Sequence, residues 1–193
     1  MAAISSDTNS QNLPRLDGRK VAILVTDGFE QVELTGPKSA LEEAGAQTTI
    51  IAPSTASNGQ VQGFNHHDKA DALPVDATLA QADPAQFDAV LLPGGVINAD
   101  ALRTDERAQA FVRAVDHAGK PVAVICHGAW LLASADLARG RTLTSWPSLQ
   151  DDLRNAGAAW VDAQVHTDRN WISSRKPDDV PAFSRAFAQA LAA

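Results

Sequence analysis

Four short blocks of almost purely apolar residues, KVAILVT (20–26), TTIIAP (48–53), FDAVLLPGG (87–95) and PVAVICHG (121–128), constrain this chain more than any other feature. They are separated by stretches with helical periodicity, QVELTGPKSALEEAG (31–45) and TDERAQAFVRAVDHAG (104–119). Strands without polar alternation must be covered on both faces, and strands that alternate with helix-length segments form parallel crossovers. The pattern therefore predicts an α/β domain, a doubly wound and mostly parallel sheet with helices on both faces.

At the helix ends, Thr104 is placed to cap the second helix, Gly119 to close it, and Gly45 to end the first. Between Ser54 and Ala77 the pattern breaks, and GQVQGF with ALPVDATL reads as an inserted hairpin around Asn65-His66-His67-Asp68. A helix is expected from Cys126 to about Leu137. GRTLTSW, AAWVDAQV and NWISSR then read as strands, and DDVPAFSRAFAQALAA as a closing helix. Residues 1–18 are rich in Ser, Asn, Asp and Thr and read as a mobile leader, leaving residues 19–193 as a single domain.

Charge and composition narrow the functional classes. A net charge of −7, with no Lys/Arg run, disfavours nucleic-acid binding. No apolar run approaches the roughly 20 residues a membrane helix needs. With no secretory pattern and one cysteine, which cannot form an internal disulfide, the expected compartment is cytoplasmic. Adjacent His66 and His67 project apart and no second cluster has ligand spacing, so no metal site and no cofactor are expected.

Ligand sites in open α/β sheets form at the carboxyl ends of strands. Three such ends carry unusual residues: Asp27-Gly28-Phe29-Glu30, Pro93-Gly94-Gly95 and Cys126-His127-Gly128. A cysteine on a strand-to-helix elbow sits near the positive end of the next helix, which favours the thiolate and would depress its pKa below ~8.5. Position alone leaves Cys126 as either a nucleophile or a buried structural thiol. Glu30, if desolvated and protonated, can donate to the sulfur, whereas Glu33 reads as a helix-dipole residue facing elsewhere. Gly94-Gly95 offers unhindered N–H groups, which with that of His127 can form an oxyanion hole. Side chains one residue apart on an elbow diverge, so His127 is expected to act on substrate without pairing with Cys126, and Asp100 in the VINAD loop reads as either the acid that orients it or the cap of a local turn. Trp130, Trp146, Trp160 and Trp171 read as core or interface residues, with Trp130 close enough to the elbow to line the pocket, and Arg175 reads as a structural ion-pair partner in preference to an anion site.

Taken together, DGFEQVEL (27–34), GFNHHD (63–68), DAVLLPGG (88–95), GKPVAVICHGAW (119–130), TSWPSLQDDLRNAGAAWVDAQV (144–165) and NWISSRKPDD (170–179) resemble the PfpI, or intracellular protease I, family of the ThiJ/PfpI superfamily. The resemblance implies a flavodoxin-like sandwich similar to class I glutamine amidotransferases, with a nucleophilic Cys126 hydrogen-bonded by Glu30. It further implies His127 as proton carrier and an oxyanion hole from the Gly95 and His127 amides. In relatives called proteases, a glutamate from a neighbouring subunit orients the histidine. Here the aligned loop carries Asp100 and is about one residue longer. A homo-oligomer with the site near its interface is thereby implied.

Family activities comprise glutathione-independent glyoxalase, protein deglycase, intracellular cysteine peptidase and a stress-response role. The compact domain adds no peptide-gripping groove. The expected function is thus a stress-response enzyme acting on small reactive carbonyls or glycated protein. A peptidase is the alternative, and a redox-sensing or chaperone-like protein the reading of another class.

Overall fold

The computed structural model describes residues 13–54 and 59–193. Its elements in chain order are β1 (Lys20–Leu24), β2 (Phe29–Glu30), α1 (Gln31–Glu43), β3 (Gln47–Ala52), β4 (Gln60–Asn65), β5 (Asp68–Pro74), β6 (Ala77–Thr78), β7 (Ala89–Leu92), α2 (Val96–Arg103) and α3 (Glu106–His117). They continue with β8 (Val122–Ile125), α4 (Ala129–Ser134), β9 (Thr142–Leu143), α5 (Gln150–Asn155), β10 (Ala159–Trp160), β11 (Val165–Asp168), β12 (Trp171–Ser174) and α6 (Val180–Ala192).

Seven strands form the central sheet in the order β11-β12-β8-β7-β1-β3-β6, parallel except for the β11-β12 pair at one edge. The expected doubly wound α/β architecture is present. β1, β7 and β8 are buried along nearly their whole length, because alternate residues feed two cores on opposite faces of the sheet. Ala22, Leu24, Val90 and Val124 face one core, while Val21, Ile23, Leu91 and Ile125 face the other. That double coverage explains the missing polar alternation.

Several expectations are corrected. Leu16 lies in the second core and its N–H donates to Ala44 O at 2.7 Å, so the ordered fold begins before Arg19. The rest of the expected leader, residues 1–12, lies outside the described residues. Asp105, not Thr104, caps α3, accepting from the N–H groups of Arg107 and Ala108, while the Thr104 hydroxyl donates back to Ala101 O. The VINAD segment is helix α2, not a loop. The helix after Cys126 is short, a 3-10 turn over Cys126–Gly128 followed by α4. The hairpin occurs as β4-β5 with His66 and His67 at its tip, and it joins β2 in a three-stranded sheet. That sheet rises beside the carboxyl end of β1 and frames the site.

Arg141 anchors the opposite end. Its guanidinium reaches Asp168, Asp116 and Asn170 and lies over the Trp171 ring at 4.0 Å. Arg175 pairs with Asp179 and Asp162, the structural role its position predicts.

Candidate active site

The carboxyl ends of β1, β7 and β8 converge as the sequence predicts. Cys126 has φ +60°, a strained left-handed conformation for a residue with a side chain, and it turns the chain sharply out of β8. The turn is held by close backbone approach. A Cβ on Gly128 would stand 2.6 Å from Leu92 O, and one on Gly94 would stand 2.6 Å from the Cβ of Cys126. A side chain at either position has to push its neighbours aside.

The carboxyl set against the thiol is that of Glu33, not Glu30. Glu30 ends β2 and turns its side chain outward to the hairpin, where Oε2 accepts from the His66 N–H at 3.0 Å. Glu33 lies on the inward face of α1 with Leu34, Pro37 and Leu41, fully buried. Its Oε2 accepts from the Gly94 N–H at 2.9 Å, and the carboxyl reaches the Cys126 sulfur. Its Oε1 is buried with no hydrogen-bond partner among the described residues. A buried carboxylate with an unsatisfied oxygen is costly, so the neutral acid is favoured. Burial first, then the nearby negative charge of Glu30, raise the Glu33 pKa to about 8. Glu33, not Glu30, is therefore the buried carboxyl set against the thiol, with its neutral form favoured.

Cys126 is 6% exposed. Burial, followed by repulsion from Glu33 whenever that group is ionised, pushes its thiol pKa up, against the backbone N–H groups of His127 and Gly95 that point at the sulfur and pull it down. The depressed pKa expected from the helix end is not realised. α4 has six residues and offers a weak dipole, while desolvation acts on the thiolate directly.

His127 does pair with the cysteine, contrary to the expected divergence: Nδ1 lies 3.2 Å from Sγ. The left-handed φ at Cys126 swings the two side chains to the same side. The ring stacks on Trp146 at 5.7 Å and meets the edge of Trp130 at 5.2 Å. Burial lowers its pKa, so it is neutral at pH 7 and able to accept a proton. Asp100 is exposed on α2 and makes no side-chain hydrogen bond or ion pair among the described residues, so it does not orient His127 within the chain. Elbow, neutral histidine, protonated glutamate and two converging amides can together generate a thiolate at the moment of attack and stabilise an oxyanion. Among the described residues no three His, Cys, Asp or Glu side chains cluster as metal ligands.

Two residues here escaped the sequence reading. Glu33 was legible in principle, since its spacing to Leu34, Pro37 and Leu41 puts it on the buried face of α1. Asn98 is a fully buried polar residue beside Ala99 and Leu102 on the inward face of α2. Its only signal is one amide on an apolar stripe.

This elbow on a doubly wound sheet defines a cysteine-centred α/β site. The chain belongs to the DJ-1/PfpI family, whose model matches residues 19–190. It is 40% identical over 172 residues to "Deglycase TK1284" of Thermococcus kodakarensis, covering 89% of this chain and 99% of that protein. It is 41% identical over 167 residues to YraA of Bacillus subtilis, which carries a provisional cysteine-protease name, covering 86% of this chain and 95% of that one. Among solved structures, Drosophila melanogaster DJ-1beta superposes with a TM-score of 0.79 at 30% identity, covering 90% of each chain.

Proposed function

We propose that this protein is a cysteine-dependent enzyme acting on small reactive carbonyls, of the glyoxalase and deglycase type. The observation that carries the reading is the Cys126 Sγ to His127 Nδ1 contact of 3.2 Å beside a buried acid. His127 takes the thiol proton as Sγ attacks the aldehyde carbon of methylglyoxal, and the product is a hemithioacetal. The oxyanion forms against the N–H groups of Gly95 and His127. Moving the carbon-bound proton to the neighbouring carbonyl carbon through His127 gives a lactoyl thioester, and water releases lactate and the thiol. The sequence is redox-neutral overall and consumes one water. Glu33, held neutral by burial, adds no negative charge against the sulfur as the thiolate forms and has a proton to offer it.

The name of the Thermococcus relative supports a deglycase activity, in which the same thiol displaces the amine from the carbinol carbon of a glycated amine, giving the same hemithioacetal while the amine leaves with the proton His127 took from the thiol. We further propose that a second copy covers the rim of the site. Ile97 and Val96, following the Gly94-Gly95 turn, are 63% and 52% exposed, and Val32 on α1 is also exposed. Asp100 shares α2 with them and would meet the partner there. We read the compartment as cytoplasmic, and among the described residues no helix is long and apolar enough to cross a membrane.

The test is steady-state lactate formation from methylglyoxal, without glutathione, by wild type and Cys126→Ala. Lactate formed by wild type and lost in the variant supports the reading. An intact, reduced protein that forms none, but cleaves a denatured protein in a Cys126-dependent way, replaces it with a peptidase. Oxygen addition at Cys126 after mild peroxide, without turnover of either substrate, replaces it with a redox sensor.

A further inference from the structure

The Gly94-Gly95 turn lies against the Cys126 sulfur, a Cβ on Gly94 standing 3.0 Å from it, the Gly95 N–H favours the thiolate there, and what holds that N–H in place is not the glycine itself. Gly94 and Gly95 share one peptide unit, and no peptide bond among the described residues is cis. In a trans unit the C=O and N–H point in opposite directions, so fixing one aims the other. The carbonyl half is Gly94 O. It accepts from Asn98 Nδ2 at 2.9 Å and, more weakly, from the Glu30 N–H at 3.3 Å. Asn98 Nδ2 also donates to Pro93 O at 3.1 Å, and Asn98 Oδ1 accepts from the Thr26 N–H at 2.8 Å. One fully buried carboxamide therefore spends every group it has on tying the end of β1 to the Pro93-Gly94-Gly95 turn.

A Gly-Gly turn needs such a tie. Gly95 has φ +88°, and a peptide flanked by two glycines can rotate at little steric cost. Rotation would withdraw the N–H from the sulfur and present a carbonyl oxygen in its place. We infer that Asn98 is a positioning residue of the active site, whose carboxamide locks the Gly94–Gly95 peptide with its N–H aimed at the nucleophile and the developing oxyanion. The inference rests on the proposed catalytic reading for its effect on turnover. Its effect on the thiol stands without substrate.

The experiment compares wild type with Asn98→Leu, which keeps the branched shape and removes every side-chain hydrogen bond, and with Asn98→Ala. The thiol pKa is read from the pH dependence of iodoacetamide alkylation. It rises by about one unit in both variants as the amide is released. With methylglyoxal, kcat falls about tenfold to a hundredfold and KM changes little, since an oxyanion donor acts in the transition state. A lower melting temperature with an unmoved thiol pKa would mean that Asn98 only holds the fold, and overturns the inference. A raised pKa in a protein whose wild type makes no lactate would keep Asn98 in place and discard the glyoxalase reading instead. Should neither variant fold, wild type decides by amide NMR across the thiol titration. The Gly95 amide and Asn98 carboxamide protons must shift together, and stationary signals overturn the inference.

Discussion

His127 Nδ1 stands 3.2 Å from Cys126 Sγ although the two residues are adjacent on a tight elbow. The φ of +60° at Cys126 makes this possible, and packing between Trp146 and Trp130 keeps the ring in place. A buried thiol whose pKa is pushed up gains little from waiting as a thiolate. In the proposed mechanism it is activated by a neutral neighbour that takes its proton during attack.

This arrangement predicts a specific pH profile. Burial depresses the His127 pKa below 6.5, so kcat/KM should rise with pH through that region and then level off. His127→Gln should lose the rise and about 10²–10⁴-fold in rate, the usual worth of a general base. Lactate assays across pH check both. An unchanged profile in the variant would assign the base elsewhere.

Two glutamates three residues apart should differ in how strictly their carboxyl position matters. Glu33→Gln keeps a neutral group that can still donate a hydrogen bond, and should retain much of the activity. Glu33→Asp pulls the carboxyl back from the sulfur and should lose it. Glu30→Gln acts only through the field at Glu33 and the tie to His66, so a few-fold change in rate is expected, with the Glu33 pKa moving down. Alkylation kinetics of the three variants test the order, and a dominant Glu30 effect would return the acid role to that residue.

Glu33 also ties stability to pH. Its pKa is raised from 4.5 in the unfolded reference to about 8 in the fold, so between those values the folded state holds a proton that the unfolded state has released. The stabilisation is fully present below the unfolded value and is lost as pH climbs through the folded one. The Glu33 contribution should thus fall with rising pH between about 4.5 and 8, at up to about 1.4 kcal/mol per pH unit, partly offset up to about pH 7.5 by His127, whose unfolded imidazole releases its proton there. In Glu33→Gln the slope should be flatter over the same window. Urea titrations at pH 6.5, 7.2 and 8.0 measure the difference.

How much of this was legible in the sequence depended on which physical signal each feature left. The parallel sheet was plain, because strands buried on both faces leave unbroken apolar runs such as VAVI. The convergence of three strand ends followed from topology alone. Individual side-chain directions did not. Glu30 and Glu33 differ by less than one helical turn, and the junction of β2 with α1 decides which of them points inward. His127 was misjudged because its direction depends on the backbone angle of its neighbour, and residue identity at Cys126 gives no hint of a positive φ. The long helix expected after Cys126 was cut at Ser134, with Ala135 N–H closing the last turn on Leu131 O.

The glycines around the elbow divide into one that shapes the site and one that shapes the fold, and the same substitution should separate them. In Gly94→Ala the new methyl meets Cys126 Cβ at 2.6 Å and Sγ at 3.0 Å and collides with Glu33 Oε2, all side-chain atoms within the site. These can yield, at about 1–3 kcal/mol of overpacking, but only by parting the acid from the thiol. The protein should fold and alkylate slowly, with turnover largely lost. In Gly128→Ala the methyl meets backbone, Leu92 O at 2.6 Å and Pro93 O at 3.0 Å, so β7 and the elbow must separate as units. That variant should melt well below Gly94→Ala. Thermal melts paired with alkylation rates read both quantities, and equal melting temperatures would show that the elbow tolerates strand movement that its packing argues against.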